Sequence, residues 1–575
     1  MTAVDAAATP GPGGTRPVHR GEVDGVPLLW CDAPGPLRAH LMLRAGWADE
    51  TLPTRGWTHL VEHLALAGVG RPGEHSNGRT GTTVTDFHVE GGPDDVVAFL
   101  GAVTRNLSDL PVARLRDEVG VLHAEQARRG GSTMDRLLSW RYGATDYGLG
   151  GMDEVGLSTP PPADALRHWA ARRAARGNAV VWLSGPPPAG LRLHLADGEH
   201  VAPPDPNRCV AGALPAWFTD HDDLAAALAV VPRGWASPAL RHVAQARLVD
   251  RLRVDLAVAY SPVADYSPVS GGEGWLLLHT DLVGGRQSEG VGPLLRLLDE
   301  LGGDEGAPGA VTDADVAGFH DAARRQAAEP YAWASDLARA SWDTLLRHVG
   351  DTAAPTDVTA AEVRARAREA AASLLAAVPR GLGTYRGRWV PALATTADPV
   401  QGTVRRALGT TETVVTSPDG VSRTTEGTTW TVRRDAVAGV LHRPDGQRVL
   451  VGADGVQLLV EPTVWEDGAG LVRDVDRTFP ADRFVAMAPR APGQVPVPLS
   501  TAPGPPRPTR TEVLDRWVLR HRRLALVLWL LLVMLVLGGP AAFLVVGGGG
   551  PPPTVAVPLF WGAVYGAIWS FRRRY

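Results

Sequence analysis

Short apolar runs alternate with amphipathic stretches through the first 380 residues and predict strands and helices in turn. The strand candidates of the first round are rich in β-branched and aromatic residues: GVPLLWCD, LRAHLMLRAGW, TTVTDFHVEG and NAVVWLSG. Apolar residues at helical spacing predict helices at 56–69, 94–107, 112–129 and 163–175. A second round follows, with strands LAAALAVVP and EGWLLLHTDL among helices near 237–254, 289–301, 312–328 and 359–377. The pattern predicts an α+β fold with two lobes, 21–200 and 201–380, each a mostly antiparallel sheet with helices on one face.

The pattern changes after the second lobe. Residues 381–430 are rich in Gly, Thr and Ser with weak periodicity, which favours a linker or a loosely ordered strand region. In 431–505, short apolar runs are separated by turns, and Asp-Gly recurs at 445–446, 454–455 and 467–468. Asp-Gly between apolar runs is typical of hairpins, so a small β-rich module is expected. It loosely resembles bacterial pleckstrin-homology-like barrels, and a plain β-module is the alternative.

The last segment, 506–575, predicts a membrane anchor. Residues 524–546 and 554–571 carry no charge, and the first stretch is long enough to cross a bilayer core of about 30 Å. Arginines precede the first stretch and follow the second, so the positive-inside rule places both ends of a hairpin in the cytoplasm. One span with a re-entrant tail is the alternative. The expected location is a bacterial-type plasma membrane, with the lobes cytoplasmic because residues 1–20 lack an apolar signal core and are expected to be disordered.

Composition and net charge exclude only a few classes of protein. The chain has two cysteines, which excludes a disulfide framework and fits a reducing compartment. A net charge of -5 over 575 residues argues against a role in binding nucleic acid.

The string His59-Leu60-Val61-Glu62-His63 carries the strongest chemical signal. Histidines four positions apart lie on one face of a helix and can both bind one zinc ion. Glu62 borders the same face, so it can act on a water molecule beside the metal without being a ligand. Two ordinary surface histidines on an amphipathic helix are the alternative.

A zinc site with two histidines needs a third protein ligand, commonly a carboxylate from another helix. In LRDEVGVLHAEQARR, Glu118 and Glu125 are two helical turns apart and share a face. Glu125 is the predicted third ligand, and Glu118 is predicted to orient a ligand histidine from behind. His123 is expected to project away from that face. Two histidines and one carboxylate favour zinc over manganese or cobalt.

With these residues in place, the chain resembles the M16 family of metallopeptidases, which includes pitrilysin, insulysin and the mitochondrial processing peptidases. The segment RAGWADETLPTRGWTHLVEHLALAG is similar to the family's first block, with the inverted H-x-x-E-H order of its zinc motif. Asn77-Gly78-Arg79-Thr80 resembles the N-A-x-T entry to the substrate-binding strand, and Glu118 to Glu125 matches the family's E-x(6)-E helix.

The second round resembles the family too. RLRVDLAVAYSPVADY is similar to a block in which an arginine and a tyrosine reach the active site from the second lobe. The resemblance implies that Arg253 and Tyr260 bind substrate backbone and stabilise an oxyanion. It also implies two homologous lobes that face each other as a clamshell, and an extended peptide that adds as a strand beside Asn77 to Glu90.

The sequence therefore predicts a zinc-dependent endopeptidase or oligopeptidase that cleaves extended peptides. Glu62 is the expected general base, and His59, His63 and Glu125 are the expected ligands. A catalytically inactive scaffold with the same fold and a peptide-binding or maturation partner are the alternatives. Metal content and the fate of a bound peptide distinguish the three.

Overall fold

The computed structural model describes residues 17–496, apart from 71–74, 129–131, 221–222, 351–353, 382–388 and 394–396. The first lobe contains a six-stranded sheet in the order β1-β2-β6-β3-β5-β4, in which only β2 and β6 are parallel neighbours. Its strands are β1 (His19–Val23), β2 (Val26–Trp30), β3 (Leu37–Leu43), β4 (His75–Thr80), β5 (Thr85–Gly91) and β6 (Ala179–Leu183). Its helices are α1 (Trp57–Leu66), α2 (Pro93–Ser108), α3 (Leu115–Gln126), α4 (Thr133–Tyr142) and α5 (Ala163–Arg173).

The second round of the sequence forms a second six-stranded sheet. Its strands are β7 (Ala216–Asp220), β8 (Leu224–Pro232), β9 (Val263–Pro268), β10 (Glu273–Asp281), β11 (Leu375–Pro379) and β12 (Val390–Pro391). Its helices are α6 (Ala236–Leu248), α7 (Gln287–Leu301), α8 (Asp313–Ala328), α9 (Ala332–Leu345) and α10 (Ala360–Ala372). The order β12-β7-β11-β8-β10-β9 repeats that of the first sheet from its second strand to its edge. The predicted α+β architecture with mostly antiparallel sheets and several helices is confirmed.

The alternation of side chains along β3 and β5 divides the first sheet into two faces. Leu41 and Phe87 point to the face on which α1 packs and lie in one apolar core with Leu60. Met42 and Trp182 point to the opposite face, where they pack against Leu337 and neighbouring residues of α9. Helix α1, which carries the H-x-x-E-H string, therefore lies on one face of this sheet, and a helix from the second half of the chain covers part of the other.

Helix α4 of the first lobe packs in turn on the sheet of the second lobe. Leu137, Leu138 and Tyr142 belong to a core that includes Phe218 and Leu228 of the second sheet. The sequence pattern missed both α4 and α9, because each buries its apolar face against strands distant in sequence. It also extended the helix predicted at 359–377 too far. Residues Leu375–Pro379 form the buried central strand β11, and a short, continuous apolar run does not distinguish a strand from a helix.

Residues beyond the lobes form a module of two four-stranded sheets. Its strands are β13 (Thr403–Arg406), β14 (Thr413–Ser417), β15 (Gly420–Thr425), β16 (Thr428–Arg433), β17 (Val437–His442), β18 (Arg448–Gly452), β19 (Gln457–Val460) and β20 (Phe484–Ala486), with helix α11 (Gly468–Thr478). The strands begin at Thr403, inside the stretch 381–430 that the sequence assigned to a linker. The module's likeness to a pleckstrin-homology domain stays a prediction.

The β-rich module packs on the first lobe through a small apolar cluster. Leu52, Ala144 and Leu149 of the lobe contact Ala438 and Val451 of the module. The lobe residues belong to the connections that flank α1 in space, so the module lies against the segments that position this helix.

The prediction of a plasma-membrane protein with a C-terminal hairpin needs correction. The two proposed spans, 524–546 and 554–571, lie outside the described residues, and none of the described helices is long and apolar enough to cross a membrane. A span needs about 20 apolar residues, whereas the longest helices in the part of the chain that the structure describes, α2 and α8, have 16 each and carry charged side chains. The anchor and the location inferred from it are therefore not supported.

Candidate functional site

The H-x-x-E-H string lies on α1, the first helix of the first lobe. His59 and Glu62 are buried and His63 is half-buried, so all three are held inside the lobe and not displayed on a solvated face. The helix begins after Gly56, whose φ of 102° is in the left-handed region that favours glycine. A Cβ at Gly56 would lie 2.9 Å from Glu154 Cβ and from Leu157, so the position also needs a residue without a side chain.

The two histidines direct the same ring nitrogen towards one carboxylate on α3. His59 Nε2 lies 3.8 Å from Glu125 Oε2, and His63 Nε2 lies 3.7 Å from Glu125 Oε1. Ligands at the usual zinc bond lengths of about 2.0–2.1 Å are separated by roughly 3.4 Å in a tetrahedral site. Each of the two nitrogen-to-oxygen distances exceeds this separation by only a few tenths of an ångström.

The other nitrogen of each histidine faces a second carboxylate. His59 Nδ1 lies 3.1 Å from Glu154 Oε1, and His63 Nδ1 lies 3.3 Å from Glu118 Oε2. A metal-binding histidine commonly has such a partner, which fixes the ring and favours the tautomer with a free Nε2 lone pair. The donor set and its supports fit a zinc ion held by His59, His63 and Glu125.

A buried charge network supports Glu154 and the start of α1. Arg55 Nη1 lies 3.1 Å from Glu50 Oε2 and 3.8 Å from Glu154 Oε1. Glu50 also accepts hydrogen bonds from the backbone N–H groups of Gly56 and Thr58, at 2.9 and 2.7 Å. These N–H groups have no partner inside the helix, so Glu50 caps it. Burial raises the pKa of Glu50, and the Arg55 charge and these hydrogen bonds only partly offset the increase.

Glu62 lies beside the ligands and close to strand β4. Its Oε2 is 3.8 Å from His59 Nε2, and its carboxylate would be 2.5 Å from a Cβ at Gly78. Burial raises the pKa of Glu62; His59 and His63 lower it in part, and Glu125 adds to the increase. A carboxylate with a raised pKa binds a proton more strongly, which suits a general base.

Of the remaining predicted residues, Thr80 lies beside Glu62, whereas no contact described for the others reaches the α1 site. On β4, Thr80 is half-buried, whereas Asn77 is exposed and pairs in register with His88 of β5. Arg253 lies in the π-helix Val249–Asp255 and stacks over the ring of Tyr260 at 5.0 Å. Tyr260 is 72% exposed, and none of the hydrogen bonds or ring contacts described for this pair reaches α1 or α3. His123 contacts the backbone carbonyl of Leu157 at 2.9 Å and points away from the ligands.

Sequence reasoning missed Glu154 and Arg55. Glu154 lies between two short 3-10 helices, Asp146–Gly151 and Val155–Leu157, so no helical spacing connects it to His59. Burial is the signal that distinguishes it, since a 4% exposed glutamate side chain needs a charged or hydrogen-bonding partner. That information exists only once the chain is folded.

Comparison with known proteins gives matches at the level of structure only. No family model and no curated protein matches the chain. A protease from Helicobacter pylori matches with a TM-score of 0.49 and 14% identity, over 64% of this chain and 100% of that one. The periplasmic protease PqqL from Escherichia coli matches with a TM-score of 0.48 and 13% identity, over 78% of this chain and 56% of that one. The inactive domain of a peptidase M16 from Pseudomonas fluorescens matches with a TM-score of 0.48 and 12% identity, over 66% of this chain and 100% of that one.

The first two structures are described as proteases, and the third as an inactive domain of a peptidase M16, the family that the sequence resembles. TM-scores below 0.5 at 12 to 14% identity carry no information on activity. Function has to be argued from the side chains of this chain.

Proposed function

We propose that this chain is a zinc-dependent endopeptidase or oligopeptidase that hydrolyses extended peptides. The observation that supports it best is the convergence of two Nε2 atoms on Glu125, while each Nδ1 faces its own carboxylate. Such an arrangement favours metal binding, because it places a buried and a half-buried histidine among four carboxylates on neighbouring segments.

In this proposal, His59, His63 and Glu125 hold the ion, and Glu118 and Glu154 orient the two imidazoles. A zinc ion bound there supplies Lewis acidity, which activates water and polarises a peptide carbonyl. Glu62 accepts the proton of the attacking water, and its burial keeps competing solvent away from the carboxylate.

The substrate class follows from strand β4. This strand lies at the edge of its sheet, so one row of its backbone N–H and C=O groups is available to an added strand. An extended peptide that pairs with β4 runs past Gly78, which Glu62 contacts from the helix side. Folded proteins present few such free segments, so short or unfolded chains are the expected substrates.

Arg253 and Tyr260 keep their proposed role in binding the substrate backbone and stabilising the oxyanion. Arg253 and Tyr260 are both exposed, so both side chains are accessible to a ligand. Arg253→Ala is expected to raise KM and lower kcat without loss of metal, and unchanged values of both would remove this pair from the proposal.

The decisive experiment compares the wild type with Glu62→Gln, using the full chain. Bound metal is measured by elemental mass spectrometry, and cleavage is followed in an unbiased peptide mixture. Glu62→Gln is expected to keep its zinc while kcat falls by about 10²- to 10⁴-fold, because only the base is lost. Glu300→Gln on α7 makes the same change on an exposed helix face and is expected to alter neither.

The other outcomes separate the alternatives. Metal binding and capture of uncut peptide by the wild type would indicate a peptide-binding or maturation partner. Absence of both metal and cleavage would indicate a scaffold. Undiminished cleavage by metal-loaded Glu62→Gln would show that another group is the base.

A further inference from the structure

A second group of metal-binding side chains lies on the other face of the first sheet. His40 on β3 pairs in register with His88 on β5, and Asp86 precedes His88 by two positions. Side chains two apart on a strand share a face, so all three project from the face opposite α1. The two clusters are therefore on opposite sides of one sheet and share no residue.

The three side chains already converge. His40 Nδ1 lies 2.9 Å from Asp86 Oδ1, and His88 Nδ1 lies 3.5 Å from Asp86 Oδ2. One candidate ligand atom from each residue lies within 4.8 Å of the other two. These separations bracket the value of roughly 3.4 Å expected for two ligands of one tetrahedral zinc ion.

The surroundings hold the cluster in place and leave it accessible. The His40 ring stacks on Trp182 at a centroid distance of 4.0 Å, which fixes its orientation. The side chains of His40, Asp86 and His88 are 26, 25 and 36% exposed. His40 and Asp86 also line a cavity of about 650 Å³ between the two lobes, which includes Trp275 and Trp342 and none of the residues of the α1 site.

Asp86 supplies the carboxylate of the cluster, and its oxygens lie close to a ring nitrogen of each histidine. Two imidazoles and one carboxylate are the donors preferred by zinc and neighbouring transition metals, whereas magnesium and calcium prefer oxygen donors.

We propose that His40, Asp86 and His88 form a second binding site for a divalent transition-metal ion, separate from the site on α1. Three protein donors leave at least one coordination position for water or for a ligand group in the cavity between the lobes. The proposal does not depend on the activity proposed for the α1 site.

The test counts zinc ions per chain by equilibrium dialysis of the metal-free full-length protein against zinc alone. The wild type is expected to bind two ions, His88→Ala one, His63→Ala one, and the double variant none. His442→Ala removes a half-buried strand histidine that belongs to neither metal-binding group found among the described residues, and it is expected to keep both ions. Asp86→Asn preserves the side-chain shape and tests the same site if His88→Ala fails to fold.

The outcomes distinguish the two sites. If His88→Ala and Asp86→Asn both bind as many ions as the wild type, the cluster is only an aspartate paired with two histidines and the second site is rejected. If His88→Ala loses one ion while His63→Ala loses none, the second site stands and the proposed zinc peptidase fails.

Discussion

The two lobes have the same strand order, but different kinds of side chain lie between their equivalent helices. In each lobe a central strand leads to a helix, then to the edge strand, its neighbour and two further helices, so α6 and α8 correspond to α1 and α3. Between α1 and α3 lie two histidines and the carboxylates of Glu118 and Glu125. Between α6 and α8, His242 contacts the ring of Phe319 at 5.9 Å, and Arg247 pairs with Asp315 at 2.9 Å.

The shared topology places two helices side by side on a sheet in both lobes, and this arrangement is sufficient for packing. Among the residues that the structure describes, only the first lobe adds histidines whose Nε2 atoms converge, together with carboxylates behind them. The chemistry therefore depends on a few side chains and not on the architecture.

The largest expected difference between the lobes follows from removing one histidine from each. His63→Ala is expected to lose the α1-site ion and to lower kcat/KM by more than about 10³-fold, because metal catalysis contributes several kcal/mol. His242→Ala is expected to leave both quantities unchanged. Metal content and peptide cleavage measured on the two variants provide the check, and equal losses would show that the lobes do not differ as described.

A smaller effect is expected from the carboxylate behind His59. Glu154→Gln removes the charge that orients the ring at 3.1 Å, so zinc affinity is expected to fall by about 10- to 100-fold. Asp315→Asn removes a comparable charge between α6 and α8 and is expected not to change it. Competition with a chelator of known affinity measures both. Wild-type affinity in Glu154→Gln would mean that this contact does not support the metal.

The start of α1 provides a test of stability. Gly56→Ala forces a side chain into a left-handed conformation and against Glu154 and Leu157, so it is expected to lower the free energy of unfolding by about 1–3 kcal/mol. Gly120→Ala on α3 adds a methyl group where no other atom lies within 4 Å and is expected to stabilise the helix by up to about 1 kcal/mol. Urea unfolding measures both changes. If both variants changed the free energy of unfolding in the same direction, this explanation would be wrong.

The smallest expected effect concerns acid stability in the second lobe. Burial raises the pKa of Asp315, but hydrogen bonds from Thr312 and the Arg247 charge outweigh it, so the pKa lies below its ordinary value. The lowered pKa stabilises the fold above the unfolded-state pKa of about 3.9, and this contribution is lost as the pH falls through the folded-state pKa. The difference in urea midpoint between wild type and Asp315→Asn is therefore expected to shrink below about pH 4. If the difference in urea midpoint instead grew as the pH fell, the pKa of Asp315 in the folded protein would not be lowered as described.

The local sequence pattern predicted many of the helices and strands of the two lobes. The helices at 94–107 and 163–175 match α2 and α5 within two residues at each end, because each carries a continuous apolar stripe. The pattern failed where packing partners are distant in sequence. Helices α4 and α9 cover the sheets of the opposite halves, and no local periodicity indicates such an exchange.

The residues of the candidate site also fall into two groups, those that local spacing identifies and those that only long-range packing brings there. The i, i+4 spacing of His59 and His63 and the helical spacing of Glu118 and Glu125 are local, so the sequence identified these residues as a group. Glu154 approaches His59 only through a loop held by Arg55, Leu149 and the β-rich module. Its position depends on long-range packing, which spacing along the chain does not encode.

The sequence by itself determined which residues can bind a metal on α1, because helix geometry converts spacing directly into a shared face. The tertiary structure decided that their Nε2 atoms meet Glu125 and that Glu154 holds His59. It also placed His40 opposite His88, since strand register is set by pairing between distant segments. Contacts within one helix follow from the local chain, whereas contacts between segments follow only from how the whole chain packs.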